Sequence, residues 1–321
     1  MDRKVLAAGL SILSNSSLVA MKLIVGLMTG SVSVISEAAH SALDLFASVI
    51  AFLSVRASGR PADREHPFGH GKIENLSGVI EAVLILVAAA WIIFEATRKL
   101  VSPKPLADLQ WGLIVMGISV VANTLISRYL FRVADQTDSI ALEADAHHLS
   151  TDVWTSLGVF VGLGLMELLN ALKVEWGHHI DPIVALGVAA LIIRVAVSVT
   201  WKSAAPLLDV RLPDGELGEL DEMVMNTPKI VGYHKLRTRK SGPYREIDYH
   251  LIVPGGMPVE EAHSIAENIE DEMRRRYPGT HVVTHIEPDA AEIVHEPGTH
   301  VKNPEPEQDS DDGRQTAAGS G

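Results

Sequence analysis

The chain has 321 residues, 47% of them hydrophobic and 21% charged, with a mean hydropathy of +0.19 and a formal net charge of -13. That balance is too apolar for an ordinary soluble domain, and the acidic excess gives no pointer toward nucleic acid, which would want a basic patch. With no cysteine in the chain, disulfides and thiolate metal sites are excluded, leaving His, Asp and Glu as the available ligands.

Six segments satisfy the rule that about 20 mostly apolar residues span a bilayer: Leu6–Thr29, Val32–Val55, Leu76–Leu100, Leu109–Phe131, Val153–Leu172 and Ile180–Trp201. The first lacks a small-residue cleavage site and passes through "MTGS" into the second, so it reads as half of a helical hairpin and not as a signal peptide. With the N-terminus inside, nine basic residues (Arg3, Lys4, Arg56, Arg60, Arg64, Lys72, Arg128, Arg132, Lys202) are cytoplasmic and four (Arg98, Lys99, Lys104, Lys173) are outside. The positive-inside rule therefore expects both termini in the cytoplasm. No targeting signal precedes the first span, which points to a prokaryotic plasma membrane.

A charge at mid-membrane costs at least about 2.5–3.5 kcal/mol, so polar residues inside the spans need a reason. The second segment holds "SEAAHSALDLFAS", with His40 and Asp44 four apart, and the fifth follows "HLSTD", with His148 and Asp152 at the same spacing. On a helix, residues four apart share a face one turn apart. One intramembrane histidine commonly serves only as an interhelical hydrogen-bonding group, but two such pairs facing each other supply two imidazoles and two carboxylates. That is a tetrahedral set for a borderline divalent ion such as zinc. His147 lies about 100° away from His148 on the helix and reads as a gate or mouth residue. Glu37, one turn before His40, is an accessory acid or a cavity-lining residue. Asn15, Ser16 and Asn123 read as packing and interhelical hydrogen-bonding groups.

From about Pro213 the composition turns charged. "DGELGELDEMVMN" reads as a helix capped by Asp214, "GYHKLRTRKSGPYREIDYHLIVP" as a hairpin around Ser-Gly-Pro, "PVEEAHSIAENIEDEMRRRYPG" as a helix from Pro258, and "HVVTHIEP" as a strand. The expected organisation is a polytopic α-helical membrane domain of six transmembrane helices over residues 1–205. A cytoplasmic α+β domain follows at 206–288, an αββαβ unit of ferredoxin-like or metallochaperone-like type with its helices on one face. The acidic, Pro-rich stretch 289–321 is expected to be disordered. His285 and Glu287 are two apart on a strand and share a face. His234 and His250 fall on the paired strands and His263 on the second helix. His295 and His300 lie in the tail.

The two HxxxD helices, "PADREHPFGHGKIE", "HLSTDVWTS" and "HKLRTRKSG" together resemble the cation diffusion facilitator family of metal/proton antiporters, over roughly residues 5 to 288. The resemblance implies a homodimer with six transmembrane helices and a cytoplasmic C-terminal domain. It implies a transport site of His40, Asp44, His148 and Asp152, a second ion at Asp63, His66 and His70 in the loop, and regulatory metal at His234, His250, His263, His285 and Glu287. Glu287 stands where an Asp is common in relatives. The resemblance also matches Lys72 and Asp209 to an ion pair that holds the membrane bundles against the cytoplasmic domains at the dimer centre. On its own, the loop reads as a turn, because Pro67 and Gly69 separate the two histidines. His40 replaces an Asp of the iron/zinc-type exporters, which favours zinc, cadmium or cobalt over manganese and iron.

Ligand chemistry gives the expected mechanism. Imidazole must be neutral and carboxylate ionised to bind metal, so protons and metal displace one another, and a site opening alternately to each side becomes an antiporter. Zn2+ is then both substrate and regulatory ligand, with Cd2+ and Co2+ possible and no catalytic cofactor. The partners are a second copy of the chain, lipid, divalent ions and protons. No HExxH helix supports a metalloprotease and no phosphate-cradling Gly loop supports ATP-driven transport, so no enzyme is expected. Manganese or iron export, and a non-transporting membrane metal sensor, are the alternatives.

Overall fold

The computed structural model describes residues 3–29, 32–101, 109–171, 180–290 and 298–302. Lys104, Lys173 and His295, and the side chains of Glu37 and Lys99, lie outside the described residues.

Two compact units divide the chain. The first comprises Met1–Leu212 with Thr238–Glu246, and the second Pro213–Arg237 with Ile247–Gly321. The first is built from α1 (Arg3–Thr29), α2 (Val32–Ser58), α3 (Lys72–Val101), α4 (Leu109–Thr137), α5 (Ile140–Ala171) and α6 (Ile180–Ala204). Backbone groups in hydrocarbon must be satisfied within the segment, and a helix does this. Among the described residues, five stretches are long and apolar enough to cross a membrane: Arg3–Met28, His40–Ser58, Lys72–Arg98, Ile114–Thr137 and Pro182–Leu208. Leu43, Phe46, Leu53, Trp91 and Leu125 are exposed on these helices, an apolar surface that suits lipid better than water.

Helix α5 begins 13 residues before the apolar run that predicts it, at Ile140 instead of Val153. Hydropathy finds the stretch poor in charge, whereas the backbone ladder continues as long as side chains find partners inside the bundle. Ser139 Oγ accepts from the Leu142 amide (3.5 Å) and caps this extension. The whole stretch "EADAHHLSTD" is thereby helical, and each ionisable group in it takes a fixed azimuth.

Helix α1 packs along α2, α3 along α6, and α4 along α5. Small residues allow this closeness: Ala7, Ala8, Ala134, Ala141 and Ala146 are buried in one cluster with Val55, Leu130, Leu142 and Leu149.

From Pro213 onward the chain carries α7 (Asp214–Met225), α8 (Val259–Arg276) and a sheet of order β3-β2-β1-β4, of which Thr238–Glu246 group with the first unit. Its strands are β1 (Gly232–Ser241), β2 (Tyr244–Val253), β3 (His281–Pro288) and β4 (His300–Val301). Helix α8 buries Ala262, Ala266, Ile269 and Met273 at helical spacing, with Glu260 and Glu261 in its first turn and Arg274 to Arg276 in its last, an arrangement that suits the helix dipole. The β1–β2 turn falls at Gly242, whose φ of 59° is left-handed and favours glycine. The N-cap of α7 is Pro213, without a side-chain cap; Asp214 sits one position later, inside the first turn, and acts on the dipole and not as a cap.

Strand β4 places His300 and Val301, within the stretch expected to be disordered, in the sheet, while 291–297 and 303–321 lie outside the described residues. Gly232 pairs with Val301 and Tyr233 with His300, antiparallel. A β-carbon on Gly232 would collide with the His300 carbonyl, so the strand rests on a glycine. His300 stacks on Tyr233 (4.7 Å between centroids) and reaches Asp221 through Nδ1 at 2.9 Å. Composition misses such a strand because its pairing is made by backbone and by one aromatic contact, not by apolar content.

Candidate metal centre

Within the membrane unit, α2 and α5 bring both HxxxD pairs together. His148 Nε2 lies 3.3 Å from Asp44 Oδ1, and His40 Nε2 lies 3.8 Å from Asp152 Oδ1. Ligand atoms of His40, Asp44 and Asp152 all fall within 4.8 Å of one another. A tetrahedral zinc with ~2.1 Å bonds needs ligand atoms about 3.4 Å apart, so closing this set takes side-chain adjustment and not helix movement. Each pair is crossed: the histidine of one helix meets the carboxylate of the other. Two carboxylates and two neutral imidazoles sum to -2, which a divalent cation cancels.

Asn123 on α4 donates to Asp152 Oδ2 at 3.4 Å, the kind of second layer that orients a ligand. The sequence marks it as an interhelical hydrogen-bonding group without saying to what. His147 is turned away, with Nε2 3.8 Å from Glu143 and its ring edge-on to Phe131 at 4.8 Å.

Sequence reasoning passes over a set of buried polar residues along the same helices. Lys22 donates to Ser41, next to His40, at 2.7 Å and is buried. Asp145, three residues before His148, accepts from Ser48 at 3.0 Å, and Ser48 also receives a bond from Asn15 at 2.8 Å. Glu74 accepts from Lys4 (2.9 Å), Ser58 (2.7 Å) and Ser139 (2.5 Å), tying α1, α2 and α3 to the turn before α5. Glu81 is fully buried on α3. A charge inside an apolar run is the signal that finds Lys22 and Glu81.

The loop residues also converge. Asp63 Oδ1 lies 3.4 Å from His66 Nδ1, Asp63 Oδ2 lies 3.4 Å from His70 Nε2, and the two rings stand 4.5 Å apart. The cause is local: the Gly69 amide donates to His66 O (2.9 Å) across Pro67 and Phe68, and the His66 and Glu65 amides donate to Asp63 Oδ1 at 2.7 and 3.0 Å. The bond from the His66 amide, more than any other contact, holds the Asp63 carboxyl below its usual range.

Lys72 Nζ meets Asp209 Oδ1 at 2.8 Å, and Arg239 adds a second contact to Asp209 Oδ2 at 3.3 Å. The Lys72 hydrogen bond is the main reason that the Asp209 carboxyl lies below its ordinary value.

In the C-terminal unit, Glu287 on β3 is the hub. Its Oε2 lies 2.8 Å from His234 Nε2 on β1, and its Oε1 lies 2.8 Å from His250 Nδ1 on β2 and 3.4 Å from His285 Nε2. Burial pushes the Glu287 carboxyl up, but the bonds from His234 and His250 outweigh it and the net direction is down. His263 does not join this group. It is exposed on α8 and pairs with Glu267, its i,i+4 neighbour on the same helix, at 3.4 Å.

These features define a polytopic helical membrane protein with a His/Asp cluster of metal-ligand type within its spans. The cation efflux transmembrane domain matches residues 9–208, and the cytoplasmic domain of cation efflux proteins matches residues 212–289. The chain is 34% identical to the cation-efflux pump FieF of Salmonella schwarzengrund, over 85% of this chain and 89% of the relative. It is 35% identical to the uncharacterized transporter sll1263 of Synechocystis sp., over 81% of this chain and 83% of the relative. A solved structure of CzrB aligns at 31% identity over 25% of this chain and 99% of its own, with a TM-score of 0.24. The chain belongs to the cation efflux, or cation diffusion facilitator, family and is a cation efflux transporter.

Proposed function

We propose that this transporter exports Zn2+ from the cytoplasm in exchange for protons, through alternating access to His40, Asp44, His148 and Asp152. The observation that carries the reading is the crossed pairing across α2 and α5, with His148 3.3 Å from Asp44 and His40 3.8 Å from Asp152. Zinc accepts two nitrogens and two oxygens at tetrahedral positions, whereas manganese and iron favour more oxygen. Loading requires both imidazoles neutral and both carboxylates ionised, so each arriving ion competes with protons for the same atoms. The membrane is a prokaryotic plasma membrane, with both termini on the cytoplasmic side. The working unit is a homodimer, with Lys72 and Asp209 near its centre. Asp63, His66 and His70 collect the ion at the membrane surface. Metal at His234, His250, His285 and Glu287 tightens the dimer and promotes transport.

Selectivity tests the metal. Proteoliposomes loaded with the wild type should move zinc, cadmium and cobalt ahead of manganese, and His40→Asp should bring manganese and iron up toward zinc. A wild type that prefers manganese would overturn the zinc reading, and a flux indifferent to the pH gradient would overturn antiport.

A further inference from the structure

Glu81 and Asp145 form a buried carboxyl pair that the metal site does not use. Both side chains are completely enclosed in the membrane unit. Among the described residues no donor reaches either oxygen of Glu81 or Oδ2 of Asp145. Their neighbours in sequence pack together, Ala82 against Ala144, with Val199 of α6 closing the cluster. This is a poor place for two negative charges. A buried carboxylate without a partner is costly in hydrocarbon, and two facing each other share a proton more readily than they hold two charges.

Among the described residues no cationic group hydrogen-bonds Glu81. On α5, Asp145 follows the Ala144 that packs with Ala82 beside Glu81, and His148 stands one turn further on. From α2 the next titratable group is Asp44, one turn before the Ser48 that bonds Asp145. On α6, Arg194 and Lys202 are exposed, and Lys202 bonds Glu143 at 2.6 Å. On α1, Lys4 bonds Glu74 and Lys22 bonds Ser41. Glu74 precedes Glu81 by seven residues, two turns along α3. Ionisable groups thus step from the Glu74 cluster through Glu81 and Asp145 to His148.

We propose that Glu81 and Asp145 are a proton-carrying site, separate from the metal ligands and coupled to them through space along α5. When a divalent ion reaches His148 and Asp44, its charge stabilises a second carboxylate in the pair. The carboxyl O–H bond breaks, its electron pair stays on the oxygen, and the proton leaves to water by way of the Glu74 side. When the ion departs, the pair takes a proton back. The inference rests on the proton-antiport reading and deepens it, because it places one coupled proton on residues that bind no metal.

The test counts protons. Zinc is titrated into the detergent-solubilised full chain in weak buffer with a pH dye, for the wild type, Glu81→Gln and Asp152→Ala. The wild type minus Asp152→Ala gives the protons released at the transport site. Glu81→Gln should release about one proton fewer per transport-site zinc, with zinc stoichiometry unchanged and affinity within about threefold. Release equal to the wild type would overturn the inference, as would the loss of one bound zinc per chain, which would make the pair a metal site. A wild type that releases no protons at the transport site would sink antiport itself, a distinct failure. Infrared difference spectra of the wild type with and without zinc need no variant. A protonated-carboxyl band should vanish on zinc addition, and its absence in metal-free protein would contradict the proposal even where Glu81→Gln does not fold.

Discussion

His148 and Asp152 stand one turn apart on α5 and meet their counterparts on α2, whereas His234, His250 and Glu287 come from three strands and meet at one carboxylate. Both groups use imidazole and carboxylate. In the membrane the carboxylates are shared out one to each histidine, at the looser distances of 3.3 and 3.8 Å. In the C-terminal unit both Glu287 oxygens are already engaged by histidines at 2.8 Å. The membrane arrangement suits an ion that must enter and leave. The other suits an ion that locks three strands together.

The two clusters should therefore respond separately to loss of one histidine. His148→Ala should weaken zinc at the transport site by two orders of magnitude or more and stop flux. His250→Ala should weaken C-terminal zinc by at least the roughly 10–100-fold that loss of an outer-layer partner of a ligand costs, and leave transport-site affinity within a few fold. Calorimetric titration of both variants reads the difference. Equal losses at both sites would mean that the clusters are one coupled system.

A second contrast lies in the ion pairs. Lys4 and Glu74 are buried, with side-chain exposures of 11% and 0%. Lys4→Ala would strand Glu74, although Ser58 and Ser139 still donate to it. The expected destabilisation is at the lower end of the roughly 3–5 kcal/mol typical of a broken buried pair, read as a lower thermal unfolding midpoint. Lys4→Met with Glu74→Gln should recover much of it, since no buried charge is then left. A midpoint unchanged in Lys4→Ala would show that water reaches Glu74.

The helix-borne site is the one that the sequence makes legible, because its spacing of four is also its geometry: a turn of α-helix places His40 over Asp44 wherever the chain is helical. The αββαβ order, the hairpin at Ser-Gly-Pro and the strand His281–Pro288 are likewise readable from local patterns. The strand-borne cluster is only partly legible. His285 and Glu287 share a face by period two, but nothing local says that Glu287 will meet His234 from 53 residues away, or that His263 will stay with Glu267. The start of α5 and strand β4 fail for a related reason. Both depend on partners distant in sequence, Glu74 with Ser139 in one case and Gly232 with Val301 in the other.

The smallest expected effect belongs to the partly exposed pair. Lys72 and Asp209 have side-chain exposures of 39% and 49%, so solvent screens them, and Asp209→Asn should cost no more than about 1 kcal/mol at neutral pH. Because the folded carboxyl lies below its usual 3.8, its contribution is present above that value and is lost as pH falls through the lower, folded one. Melts of the wild type and Asp209→Asn should thus converge in strong acid. Curves that stay apart there would assign the difference to something other than this ionisation.

The most direct measurement of the central claim is zinc flux in proteoliposomes with lumen pH recorded in the same vesicles, for the wild type and for Asp152→Ala. The account predicts zinc and protons moving in opposite directions in the wild type and neither moving through the variant. Zinc flux that persists in Asp152→Ala, or wild-type zinc flux with no proton movement against it, would contradict it.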